Sequence, residues 1–261
     1  MSLDSGVLTV WEDEPASGAV NMAADELLAE EVASRGGLAV RLYRWSQPTL
    51  SLGGFQKLAD AEPVAGEAGI DLVRRPSGGG AILHGTDITY AAAVARGHAL
   101  AGSPQQFYDA LHGALVSVLQ DAGVAASMFT ADQAAAVASG EASPDGPLLC
   151  FDRRAVGDVV LGPHKLMGSA QRRLAGSILQ HGSLLLGQCD QAGPGHTRPG
   201  LSELVSDAAL AHELALRWLQ RVAASLGLTL ERGGPFLQGD MVARVAERAE
   251  RFRSAAWLGR R

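Results

Sequence analysis

The chain has 261 residues, 47% of them apolar and 19% charged, with a formal net charge of −6. That composition supplies a sizeable core and argues against extended disorder, and an acidic chain without a basic block is a poor general nucleic-acid binder. Two cysteines and no CxxC pair argue against a disulfide framework or a cysteine-based metal site.

No apolar run approaches the roughly 18 residues of a membrane span. The N-terminus, MSLDSGVLTVWEDE, lacks the basic start and apolar middle of a signal peptide. The expectation is a soluble cytoplasmic protein with neither nucleic acid nor membrane as partner.

Val7–Trp11 fits a first strand, and Asn21–Arg35 a helix with Met22, Leu27 and Leu28 as core candidates, stopped by Gly36-Gly37. Ala39–Trp45 alternates apolar and polar residues and reads as a strand, and Thr49–Leu52 as another after Pro48. Asp71–Arg74 and Ala81–His84 flank the run SGGG and read as a strand pair around a tight turn. Asp87–Val94 is the next strand. Gly102–Gly123 reads as an amphipathic helix, with Ser103-Pro104 as cap and first turn.

Ala131–Pro147 is weakly patterned and reads as a mobile loop, or a short helix plus loop, with the potential to act as a lid. Strands resume at Val156–Leu161, Lys165–Leu174 and Ser177–Leu186. Gly193–Gly200 is a loop, and Ser206–Gly227 and Asp240–Ala256 read as helices. Strands and helices do not alternate strictly, which favours a mixed α+β sheet over a doubly wound parallel one. No linker interrupts the chain, so 1–261 reads as one domain, with 201–261 a helical C-terminal segment packed on it.

Three stretches carry chemistry. In RRPSGGGAILH, residues 74–84, three consecutive glycines permit positive φ and bare backbone N–H groups, which can wrap an anion or a carbonyl oxygen, and Arg74 and Arg75 add charge. The plain alternative is a glycine hairpin with solvated arginines. The segment is neither a Walker A loop nor a dinucleotide fingerprint.

In HKLMGSAQRRLAGSILQHGSLLL, residues 164–186, Lys165 stands in an apolar strand context. A half-buried lysine there keeps its charge only beside an anion; the alternative is an edge lysine in water. His181 reads as a base or as a hydrogen-bonded core histidine. Cys150, in PLLCFD, reads as a reactive thiol or as a small buried hydrophobe, and Cys189 has nothing to distinguish it. No GxSxG elbow and no HExxH motif is present.

Five segments in order, NMAADELL (21–28), RLYRWSQPTLSLGGFQ (41–56), RRPSGGGAILH (74–84), HKLMGSAQRR (164–173) and ILQHGSLLL (178–186), together resemble the biotin/lipoate protein ligase fold family. Within it they resemble the lipoate–protein ligase A-like branch. The resemblance implies a single mixed-sheet α+β domain of that fold. The branch holds ATP-dependent lipoate ligases, cysteine-type octanoyltransferases and lipoyl-domain amidotransferases. Cys150-Phe151-Asp152 ahead of the lysine strand, the TDITY at 86–90 and ILQHGSLLL look most like the octanoyltransferases. Gly80, third in SGGG, looks more like the ligases.

By that resemblance Cys150 is the nucleophile and Lys165 its catalytic partner. Arg74, Arg75, Ser77, Gly78, Gly79, Gly80, His84, Gly168, Ser169, Ala170, His181 and Gly182 are the substrate-binding residues. Met167, Ile82 and the apolar face of 177–186 are candidates to line an acyl slot. Gly78–Gly80, or a turn at Gly168–Ala170, are candidates for the oxyanion donors.

The implied donor is octanoyl-acyl carrier protein. The implied acceptor is a lysine of a lipoyl domain, such as glycine cleavage H protein or a 2-oxoacid dehydrogenase E2. No cofactor and no metal is implied, ATP and Mg²⁺ belonging to the ligase alternative. Both carrier proteins are acidic, so Arg153, Arg154, Arg172 and Arg173 are candidates for a local steering patch.

Overall fold

A computed structural model describes residues 6–138, 149–152, 154–174, 176–189, 198–205 and 208–260. The first half runs β1 (Val7–Glu12), α1 (Gly18–Arg35), β2 (Leu38–Tyr43), β3 (Thr49–Leu52), α2 (Leu58–Ala68), β4 (Asp71–Arg74), β5 (Ile82–His84), β6 (Asp87–Ala95), α3 (Pro104–Asp121) and β7 (Ala126–Met128). The second half runs α4 (Ala131–Ala138), β8 (Val159–Leu161), β9 (His164–Leu174), β10 (Ser177–Leu185), α5 (Leu201–Leu204), α6 (Ala208–Ser225), β11 (Thr229–Arg232), α7 (Asp240–Arg253) and α8 (Ala255–Leu258). Among the described residues no helix is long and apolar enough to cross a membrane.

Eight strands form one mixed sheet in the order β11-β1-β2-β6-β10-β9-β8-β7, and β4-β3-β5 form a small second sheet. The architecture is the mixed α+β type read from the sequence. On one face of the large sheet α3 and α6 bury Phe107, Leu111, Leu115 and Trp218 against Leu38, Val40, Tyr90 and Val94. On the other face α1 buries Met22, Leu27 and Leu28 against Ala39, Ala91 and Ala93. The alanines of β6 leave room for α1 to approach closely. Helix α7 closes over the outer side of α1, joined to it by Arg244–Glu31, Arg248–Glu30 and Arg251–Glu26 ion pairs.

The departures from the sequence reading have physical causes. The alternation in Ala39–Trp45 implied one wet face, yet every residue of β2 is buried. A central strand covered on both faces has no wet side, and its one charged residue, Arg41, is neutralised inside the protein.

Asp71–Arg74 and Ala81–His84 are strands but do not pair with each other. Strand β3 lies between them, parallel to β4 and antiparallel to β5, so the glycine run bridges two edges instead of closing a hairpin. Ser103 precedes α3, but its side chain makes no capping bond. Helix α2 and strand β11 had no clear sequence signal. β11 extends the sheet parallel to β1, so the segment 201–261 is not wholly helical. Of the weakly patterned stretch 131–147, residues 131–138 form α4 and the remainder lies outside the described residues, as do residues 193–197 and Arg153.

Candidate active site

Between the small sheet and the strands β9 and β10 lies a cleft of about 390 Å³, the open solvent at its mouth included. The chain crosses from β4 to β5 through the glycine run and brings Arg75, Gly79 and His84 to one wall. Strands β9 and β10 bring Gly168, Ser169, Ala170, His181 and Gly182 to the other, and Cys150 completes the lining. The apolar part of the wall comes from Met22, Tyr43, Trp45 and Ile82. Met167 points instead into the core beneath the large sheet, and from β10 only His181 and Gly182 reach the cleft.

Lys165 stands behind Cys150. Its Nζ lies 3.5 Å from the Cys150 Sγ and 3.5 Å from the Cys150 carbonyl oxygen. On its other side it meets Asp158 Oδ2 at 2.7 Å, with the lysine side chain 3% exposed and the aspartate 1%. The lysine folds back over Gly168, and a Cβ at Gly168 would collide with its Cε. The glycine in the K-x-x-G pattern is therefore what gives the ammonium its place. The thiol and the cation sit on separate elements, a short turn at Cys150–Asp152 and β9.

Both cleft histidines are held by buried carboxylates. His84 donates through Nδ1 to Asp87 Oδ2 at 2.8 Å, so its Nε2 accepts from the Ser51 hydroxyl at 2.7 Å. Its ring stacks on Trp45, with 3.9 Å between centroids. Burial lowers the His84 pKa, against the attraction of Asp87. Burial works against the Asp87 anion, yet the pull of His84 and hydrogen bonds from Ser183 and Thr89 outweigh it and hold its pKa at about 2. His181 likewise donates through Nδ1 to Asp25 Oδ2 at 3.0 Å, and its Nε2 is hydrogen-bonded to the Ser77 hydroxyl. Both rings are held in one orientation by their carboxylates.

The arginines of the glycine-run motif are braces, not solvated charges. Arg74 donates to the carbonyls of Gly53, Gln56 and Leu258. Arg75 reaches the Ser51 carbonyl at 2.6 Å and those of Gly80 and Gly78 at 2.7 and 3.2 Å, gripping the loop from inside. Burial lowers the Arg75 pKa to about 10, partly offset by the charges of Cys150 and Tyr43. Of the three glycines only Gly79 has positive φ, at 91°. It alone of the three lines the cleft, while Arg74, Ser77, Gly78 and Gly80 support the loop from outside it.

Gly168–Ala170 is not a turn; it lies inside β9. Ser169 N donates outward to the Tyr108 hydroxyl at 3.4 Å. By strand alternation the N–H groups of Gly168 and Ala170 therefore face β10 and are taken by the ladder. Of the proposed steering arginines, Arg154 and Arg173 are exposed, whereas Arg172 donates to the Pro76 carbonyl.

Sequence reasoning gave no role to Asp25, Arg41, Asp87, Tyr108, His112 or Asp158. Asp25 and Asp87 were visible inside NMAADELL and TDITY as unexplained acids. Tyr108, His112 and Asp158 carried no local signal. His112 donates through Nδ1 to the Gly157 carbonyl at 2.8 Å and accepts through Nε2 from Ser169 at 2.6 Å. Tyr108 donates to Asp158 Oδ1 at 2.9 Å.

The fold is shared with solved lipoate protein ligases. A crystal structure of lipoate-protein ligase A bound with ATP superposes with a TM-score of 0.74 at 16% identity, covering 98% of each chain. A bi-partite lipoate protein ligase from Thermoplasma acidophilum, described with its E2 lipoyl domain, gives a TM-score of 0.66 at 18% identity, over 98% of this chain and 96% of that one.

The model of the lipoyl protein ligase A/B catalytic domain matches residues 17–192, and the chain belongs to that family. It is similar to the octanoyltransferase LipM of Carboxydothermus hydrogenoformans, 33% identical over 174 residues. That match takes in 65% of this chain and spans 61% of the relative's length.

Proposed function

We propose that the chain is an octanoyltransferase. It moves an octanoyl group from acyl carrier protein to the ε-amine of a lipoyl-domain lysine through a thioester on Cys150. The observation that carries this reading is the Lys165 ammonium 3.5 Å from the Cys150 sulfur at the edge of a largely apolar cleft. The similarity to a relative named as an octanoyltransferase supports it.

A thiolate, not a thiol, is the nucleophile, and a neighbouring cation favours it. Cys150 attacks the donor thioester, and the departing carrier thiolate takes a proton from Lys165, which becomes neutral. Neutral Lys165 then accepts the proton of the attacking acceptor amine. The amide forms, Cys150 leaves as thiolate, and the ion pair is restored. The proton count closes within each cycle.

Exchange of one thioester for another is nearly isoenergetic and amide formation is downhill, so the cycle consumes no ATP and uses no metal. Since Gly168 and Ala170 spend their N–H groups on the ladder, the oxyanion falls to the Gly79 backbone, the part of the glycine run that lines the cleft. One such donor is worth about 10²–10³ in rate. Burying the seven carbons beyond the carbonyl against Met22, Tyr43, Trp45 and Ile82 contributes roughly 5–6 kcal/mol. Exposed Arg154 and Arg173 offer positive charge to the acidic carrier and acceptor domains, which are cytoplasmic partners.

Intact-protein mass after incubation with octanoyl-acyl carrier protein, without ATP, tests this reading. The expected result is a gain of one octanoyl group, removed by hydroxylamine, absent from Cys150→Ala, and passed on to an added lipoyl domain. No gain, with lipoyl-domain labelling only when ATP and free octanoate are supplied, overturns it in favour of ligation.

A further inference from the structure

We propose that Asp158 is a positioning residue of this site: its carboxylate holds Lys165 as an ammonium aimed at the Cys150 sulfur. The inference rests on the reading of Cys150 as nucleophile. The aspartate is fixed on every side. Its N–H donates to the Ala155 carbonyl at 3.0 Å, and its own carbonyl accepts from Phe129 N at 2.8 Å. The preceding Gly157 has φ 93°, and its carbonyl is taken by His112. The side chain is saturated: Oδ1 accepts from the Tyr108 hydroxyl at 2.9 Å, and Oδ2 from Ala155 N at 2.6 Å and from Lys165 Nζ at 2.7 Å.

A carboxylate this deeply enclosed, with an O–H and an N–H donated to it, stays an anion only with a cation beside it, and Lys165 is that cation. The converse carries the function. Burial alone drives an ammonium toward its neutral form, and neutral Lys165 would offer the sulfur no charge. Among the described residues, the following groups face Lys165. Cys150 and the Phe151 ring, 5.5 Å away, lie on the short turn. Asp158 lies ahead of β8. Tyr108 and His112 come from α3, and burial keeps His112 neutral, its pKa lowered to about 3. Arg75 acts on Cys150 from the glycine-run side. Of these groups Asp158 is the acid, and its Oδ2 lies 2.7 Å from the ammonium.

The test is the pH dependence of iodoacetamide alkylation at Cys150, followed by peptide-resolved mass spectrometry so that Cys189 is counted separately. In Asp158→Asn, which matches the aspartate in shape, the alkylation profile moves to higher pH, and the rate at pH 7 falls about tenfold, the effect of one pH unit. Tyr108→Phe removes one hydrogen bond from the carboxylate and leaves Asp158 in place. It moves the profile in the same direction by less, and keeps the proposal testable if Asp158→Asn does not fold. In a Lys165→Met background Asp158→Asn produces no alkaline displacement.

A folded Asp158→Asn whose profile stays in place or moves to lower pH overturns the assignment. The carboxylate would then merely repel the thiolate or brace the loop. Alkylation needs no acyl donor. Failure of the octanoyltransferase reading therefore appears separately, as unmodified protein in the mass experiment.

Discussion

Arg41 and Lys165 are both buried cations held by buried carboxylates. Arg41 spends Nε on Asp13, Nη1 on Asp25 at 3.1 Å and Nη2 on Asn21 at 2.9 Å, and its guanidinium lies 4.1 Å from the Tyr43 ring centre. Each of these partners is itself tied down: Asp25 receives Tyr43 and His181, and Asn21 bridges to the Ala16 and Arg44 carbonyls. Lys165 meets the Asp158 carboxylate and the sulfur and carbonyl oxygen of Cys150. The first cluster uses a cation that cannot lose its proton, and it fixes β2, α1 and β10 as a frame. The second uses a cation that can lose its proton, next to the atom where the proposed reaction occurs. Both cations are buried and carboxylate-paired; the identity of the cation and its last neighbour separate scaffold from chemistry.

Exchanging the two cations is the strongest way to break that comparison. Lys165→Arg keeps a charge opposite Asp158 but abolishes the only proton the proposed cycle moves. Acyl transfer to a lipoyl domain falls by about 10²–10⁴-fold, the usual worth of a positioned proton carrier, while circular dichroism shows a folded chain. Arg41→Lys leaves transfer by the folded fraction nearly unchanged but gives up two of the three charged or polar contacts. It costs about 1–3 kcal/mol in urea unfolding. Transfer surviving Lys165→Arg within tenfold removes Lys165 from the proton path.

The sequence showed the strands and helices of the frame and the Cys150–Lys165 pair, but not the carboxylates that hold either cation. The main strands and the long helices announced themselves through apolar periodicity and glycine stops, and the five family-like segments each deliver a residue to the cleft. What stayed hidden was pairing across distance. Tyr108 meets Asp158 50 residues away, and Asp25 meets His181 156 residues away. Arg41 stood in an alternating strand and received no role, because alternation does not tell a strand covered on both faces from one with a wet face. The glycine run read as a hairpin because no local feature says that β3 will come between its flanking strands. Asp158 lay inside the strand expected at Val156–Leu161, whereas β8 starts only at Val159, and its role comes from α3 and β9 closing around it.

A smaller perturbation sharpens the comparison within the second cluster alone. Gly168→Ala puts a methyl group where Lys165 Cε and Nζ now lie. The obstructed group is the end of a flexible side chain, so β9 survives and the ammonium moves. A displacement of about 1 Å at a reacting group costs on the order of 10²-fold. The expected outcome is a roughly hundredfold loss of transfer with a melting temperature close to that of the unaltered chain. Nothing in the Arg41 cluster responds in this way, since its guanidinium is braced from every side. Wild-type transfer rates in Gly168→Ala would mean that the Lys165 position is not tightly specified.

The smallest effect concerns His112, which supports the second cluster from α3. Burial lowers its pKa from 6.5 to about 3, against the pull of the Gly157 carbonyl and aided by Lys165. Between those values the unfolded chain binds a proton that the folded chain refuses. Its contribution to stability is therefore complete above pH 6.5 and declines as pH falls toward 3. The slope is at most about 1.4 kcal/mol per pH unit. His84, also lowered by burial, adds to the decline in the same window. Asp87, held at about 2, adds only below roughly pH 4. Urea unfolding at pH 6 and 4.5 isolates the histidines. His112→Asn is less stable than the unaltered chain at pH 7, having lost the bond to Ser169, but its stability falls less steeply across that interval. An unchanged slope would show that His112 already carries a proton when folded. A fourth charge beside Lys165, Asp158 and Cys150 would then have to enter the account of how the ammonium is held.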